Sequence, residues 1–172
     1  MPLHALAKPQ KLLLTSFLLL LTVGYAVGLL FVELQTSMRP DGIQKQFLGA
    51  PEGGDGAELA FEKSPREMLV FLHNHLLGLS LIFLAVGGIF SMAAGVHDRL
   101  KTLLIVEPFV AILTTFGGIA LTRFVSPAWS WLAMISGISM GLAYVTMVSL
   151  SLRELWREPG EILESPGGKS YH

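Results

Sequence analysis

Apolar residues along this chain gather into four long runs with almost no charge, at about 12–33, 67–96, 101–123 and 127–153. Runs of that length cross the hydrocarbon core of a bilayer as helices. The pattern therefore predicts an all-α fold, an integral membrane antiparallel four-helix bundle. The second run has the clearest start. In Ser64-Pro65-Arg66-Glu67, Ser64 can cap a free backbone N–H, Pro65 suits the first helical position and Glu67 can complete a capping box. From Met68 to His97 there is then no Asp, Glu, Lys or Arg, and the other three spans are expected to pack around this one.

The first run, at about 31 Å as a helix, is long for a signal-peptide core and lacks a convincing small-x-small cleavage site, so a retained helix is expected. Gly24 and Gly28 on it, and Gly137 and Gly141 on the fourth, form GxxxG pairs that permit close helix approach. Glu107-Pro108 interrupts the third run, where proline removes a backbone hydrogen bond. Trp129 and Trp131 suit the headgroup level. The polar segment 34–63 reads as an external loop with turn signals at Arg39-Pro40-Asp41-Gly42 and Pro51-Glu52-Gly53-Gly54. Within it, Ile43, Phe47 and Leu48 form either a short amphipathic surface helix or an ordinary turn. The whole of 1–158 reads as one transmembrane domain, and 159–172 as a flexible cytoplasmic tail.

Charge sets the expected orientation. Lys8, Lys11, Arg99, Lys101, Arg153 and Arg157 share one end of the bundle, while Arg123 and the mixed-charge 34–63 segment share the other. The positive-inside rule then places both termini in the cytoplasm. Composition narrows the chemistry. A net charge of -1 suggests no nucleic-acid partner, and the absence of cysteine excludes disulfides, iron–sulfur ligation and c-type haem attachment on this chain. No nucleophile–base pair or phosphate loop stands out, so the chain is not expected to be an enzyme on its own.

Ionisable groups at membrane depth are functional suspects. His73 and His75 are two residues apart and point about 200° away from each other on a helix, so they do not share one metal ion. At most one faces the bundle, and His75, roughly 10 Å below Met68, is the better placed. It lies level with Gly117, Gly118 and Met134, a belt of small and adaptable residues that leaves room for a flat cofactor or lets the helices close up. His75 is thus a candidate metal ligand as the axial group of haem b, with Met134 or another subunit as the second ligand and Arg123 pairing a propionate. A quinone head group hydrogen-bonded to the histidine is the related possibility. The alternative is that both histidines only hydrogen-bond to Ser80, Thr122, Ser126 or backbone. Glu107 is the one carboxylate well inside an apolar run. It is read as an interfacial structural contact, with Lys11, Thr15, Ser16, Ser149 and Arg153 as partners, ahead of a proton relay through Thr114, Thr115 and Thr122.

Gly42-Ile43, Phe47, Gly49, Lys63-Ser64, Glu67-Met68-Leu69 and His73-Asn74-His75 together resemble uncharacterised small four-span bacterial inner-membrane proteins. The resemblance covers most of the chain and implies the fold and a bacterial inner-membrane location, but no mechanism. Four-helix b-type cytochromes are similar in architecture, yet they present histidine pairs on facing helices, and this chain has no histidine in the first, third or fourth span. The expected function is an accessory subunit of a membrane redox or respiratory electron-transfer assembly, in contact with lipid and with other subunits or further copies of itself. The alternative is a membrane scaffold or assembly protein without cofactor.

Overall fold

A computed structural model describes residues 2–49 and 61–157. Among these residues the structure is entirely helical. Five α-helices follow in order: α1 (Lys8–Thr36), α2 (Pro40–Leu48), α3 (Pro65–Ser91), α4 (Asp98–Phe124) and α5 (Ser130–Leu155). All but α2 are long and apolar enough to cross a membrane. The expected tail 159–172 and the Pro51–Gly54 turn lie outside the described residues.

The four spans start and stop for local reasons. The Ser64–Glu67 capping box forms as expected, with the Ser64 backbone N–H donating to Glu67 Oε2 at 2.8 Å and the Glu67 N–H donating to Ser64 Oγ at 3.3 Å. α3 ends at Ser91, five residues short of the expected 96, because the chain needs a turn there. Gly95 supplies it at φ +77°, and His97 Nδ1 accepts from the Arg99 N–H to open α4. Lys101 reaches back to the free end of α3 and donates to the Ala93 carbonyl at 2.6 Å. α4 runs on through Pro108 without a break in helix. A 3-10 turn at Pro127–Trp129 precedes α5, with Ser126 Oγ accepting from the Ala128 N–H.

α4 and α5 are the antiparallel centre of the bundle, each with 39% of its apolar window buried, against 11% for α3 and 6% for α1. The organising helix is therefore not α3, as the density of polar residues suggested, but the α4–α5 pair. Their seam is close because Gly118 has no side chain. A Cβ there would lie 2.9 Å from the Ala133 backbone nitrogen. One turn away, Thr115 donates to Ser136 Oγ at 2.9 Å, a buried hydroxyl pair between helices. α3 packs against both central helices through Phe83, Val86, Gly87, Ile89 and Phe90. Among the spans α1 leans chiefly on α5. It is held by the Tyr25–Tyr144 ring stack (4.0 Å, 9°), a Thr22–Tyr144 hydroxyl contact at 3.2 Å, and Trp156 Nε1 donating to Thr15 Oγ1 at 3.0 Å.

Both ends are closed. At one, a 3-10 turn at Leu3–Ala5 tucks the fully buried Leu3 under the bundle. The Leu3 N–H donates to the Met92 carbonyl, and His4 pairs with the buried Glu154 at 2.6 Å. At the other, the hydrophobic pattern of Ile43, Phe47 and Leu48 does form a helix. α2 turns that face into the bundle instead of lying on lipid: Phe47 is buried against Phe71, and Gln44 donates to the Pro127 carbonyl and Ser130 Oγ. The α1–α2 corner requires Gly42, since any Cβ there would collide with the Thr36 carbonyl.

Candidate functional site

The residues proposed to contact a cofactor separate into three places. His75 sits on the upper half of α3, where only Met68 is buried. Its ring does not enter the core. It lies at the α3–α4 edge, exposed, against Phe71 (4.2 Å between centroids) and Phe116 (5.1 Å). His73 is exposed as well and makes no hydrogen bond. The expectation that one histidine points inward fails because α3 is peripheral at this level. Its open arc is wide enough to hold two side chains set about 200° apart.

One contact gives His75 chemical definition. Its Nδ1 lies 2.8 Å from the Phe71 carbonyl oxygen. A carbonyl can only accept, so Nδ1 carries the hydrogen when the ring is neutral, and Nε2 keeps a free lone pair. That is the arrangement of a metal-ligating histidine, in which the second nitrogen is anchored by a backbone carbonyl. For a quinone-type ligand the same tautomer accepts from a quinol hydroxyl, whereas donation to a quinone carbonyl requires the protonated ring.

Phe116, which the ring touches, also lines an open apolar groove of about 170 Å³ between α3 and α4, together with Leu72, Leu76, Leu113, Gly117 and Ala120; His75 itself is not part of that lining. Gly117 forms part of its floor, and a Cβ there would meet nothing within 4 Å. Gly118 faces the opposite way, into the α5 seam. The two adjacent glycines therefore do different work, one leaving surface free and one permitting packing. Met134 is half-buried on α5 and does not line this groove. Arg123 is already occupied. Its Nε donates to the Lys63 carbonyl at 2.7 Å, its guanidinium pairs with Glu62, and it lies over the Phe124 ring. It straps the segment before α3 to the end of α4. The groove is well below the roughly 300–1,000 Å³ of pockets that enclose a drug-sized ligand. It suits a chain or one edge of a flat group whose other side is covered from outside.

Glu107 lies elsewhere, nearer the Leu3–Ala5 end. None of its expected partners reaches it: Thr15 accepts from Trp156, and Ser139 of α5 donates to Glu107 Oε1 instead. Residues 37–162 match the model of the family Aq_1264_TM, described as a transmembrane helical domain. The chain belongs to that family. The match begins immediately after α1 and spans α2 to α5, so the α4–α5 centre, the His75 edge and Glu107 all lie in the shared domain, while Tyr25 lies outside it. No curated protein and no solved structure matches this chain. With four candidate spans and a transmembrane domain family, the protein is a multi-pass membrane protein. The apolar side chains that α1 and α3 leave exposed, among them Leu20, Val23, Leu34, Leu69 and Leu81, face lipid.

Sequence reasoning missed Phe71 and Phe116, which hold the His75 ring. Phe71 was findable, since it lies four residues before His75 and so shares its face of the helix. Phe116 belongs to another helix, and no local pattern marks it. The Tyr25–Tyr144 stack was missed for the same reason.

Proposed function

We propose that the protein is an accessory subunit of a membrane redox assembly, in which the His75 edge of α3 and α4 receives haem b or a quinol together with a partner subunit. The observation that carries this reading is the anchored Nδ1 of His75, which leaves Nε2 unpaired on an exposed ring that shares Phe116 with an apolar groove. The groove's small volume and the missing second ligand favour a site completed by another subunit over one held by this chain alone. We place the protein in a bacterial inner membrane with both termini in the cytoplasm, on the grouping of Lys8, Lys11, Arg99, Lys101, Arg153 and Arg157 at one end.

The test is made on the assembly purified from native membranes. Reduced-minus-oxidised absorption spectra are expected to show b-type haem bands, or organic extraction to yield stoichiometric quinone. Finding neither sinks the redox reading and leaves the scaffold alternative, for which the exposed α1 and α3 faces are the docking surfaces. Orientation is tested separately. Protease added outside intact cells is expected to leave tags at both termini uncut, and removal of either tag refutes the placement.

A further inference from the structure

We propose that Glu107 is a proton-carrying carboxyl within the membrane. Its place is unusual. Glu107 lies nine residues into α4, roughly 14 Å from Asp98 along the helix. Oε1 accepts from Ser139, while Oε2 is buried and has no partner. A carboxylate with a bare, buried oxygen in hydrocarbon lacks both solvent and counter-charge.

Among the described residues, no ion pair includes Glu107. On its own helix the nearest base is Lys101, whose Nζ is engaged with the Ala93 and Ser91 carbonyls. From α5, the titratable group at this level is Tyr144, its hydroxyl in contact with Thr22; Arg153 is exposed near the helix end, and Glu154 is paired with His4. From α1 come Tyr25, stacked on Tyr144 and within electrostatic reach of Glu107, and, at the helix start, Lys8 and Lys11, neither in an ion pair with it; Glu33 is at the far end. α3 offers Arg66, Glu67, His73 and His75, all at the far end, and α2 Asp41 and Lys45, also at the far end. The groups that the structure sets against Glu107 are therefore hydroxyls, Ser139 in contact and Tyr25 within reach. A proton on Oε2 removes the charge and needs no movement of any of them.

A relay across the membrane is not supported. Thr114 and Thr122 donate to carbonyls of their own helix, and Thr115 donates to Ser136. These hydroxyls are spent on local bonds and do not form a file leading away from Glu107.

The experiment uses the full chain in lipid vesicles with the lipophilic reagent dicyclohexylcarbodiimide. A protonated carboxyl passes its proton to a carbodiimide nitrogen, its oxygen bonds to the central carbon, and the adduct rearranges to a stable acylurea that retains the whole reagent. At neutral pH, peptide mass mapping of the wild type is expected to place one reagent equivalent on Glu107. Infrared spectra are expected to show a protonated-carboxyl stretch that Glu107→Gln removes, with helix content unchanged. Absence of both the adduct and the band overturns the proposal, because the carboxylate is then ionised and paired. Suppression of labelling by sodium or lithium ions also overturns it, in favour of a cation site. The wild-type mapping needs no variant, so a misfolded Glu107→Gln does not obscure the result.

Discussion

Gly118→Leu lowers the stability of the bundle by about 3 kcal/mol, the upper part of the usual overpacking range, and the melting temperature in detergent falls by several degrees. The added Cβ alone would lie 2.9 Å from the Ala133 nitrogen and 3.3 Å from its Cα. Backbone cannot swing aside as a flexible side chain does, so α4 and α5 must separate. Separation also breaks the Thr115–Ser136 hydroxyl pair one turn along, leaving buried polar groups without partners. The control lies in the other glycines. Gly28→Leu is expected to melt like the wild type, since nothing lies within 4 Å of a Cβ there, and Gly137→Leu to fall between, its nearest neighbour being the Thr115 methyl at 3.8 Å. Equal losses at Gly28 and Gly118 would mean that α1 is packed against something the isolated chain does not contain.

His75→Ala abolishes the b-type absorption bands, or the retained quinone, of the native assembly, whereas His73→Ala keeps them. Nε2 of His75 is its unpaired nitrogen, and the alanine variant removes it while leaving Phe71 and Phe116 in place. His73 has no aromatic neighbour and no anchored nitrogen to orient its ring. Stability separates the two explanations of a loss. The imidazole is exposed, so His75→Ala is expected to shift stability by no more than about 0.5 kcal/mol, as for surface substitutions generally. A large drop in melting temperature with loss of bands would point to a structural histidine. Retention of the bands in His75→Ala would end its candidacy as the ligand.

The spans, their number and the start of α3 were legible because they depend on local chemistry, whereas the other three helices begin at Lys8, Asp98 and Ser130 and not at about 12, 101 and 127. An uncharged run long enough to cross a bilayer must form helix there, since lipid offers no partner for an open backbone. Ser64, Pro65 and Glu67 begin α3 through contacts within a single turn. Glu107 stood out because a charge among apolar residues is visible wherever they sit. The helix at Ile43, Phe47 and Leu48 was half legible: the pattern showed an apolar face, but not that this face caps the bundle.

What the chain by itself determined, then, is a membrane protein of four spans with two polar anomalies, the histidine pair and Glu107. Tertiary structure decided which helix is central and what each anomaly touches. Composition marks α1 as the most apolar span by mean hydropathy, yet α1 is the least buried. In a bilayer hydrophobicity drives insertion and not helix pairing, because lipid is as apolar as leucine. Pairing instead follows where backbones can approach and hydroxyls can meet, which is why Gly118, Thr115 and Ser136 set the centre while Gly24 and Gly28, of the same residue type and spacing, stay bare. The same cause moved His75 to an edge and gave Glu107 a serine from α5: both outcomes depend on how one helix is rotated against the next, which spacing along a single helix does not encode.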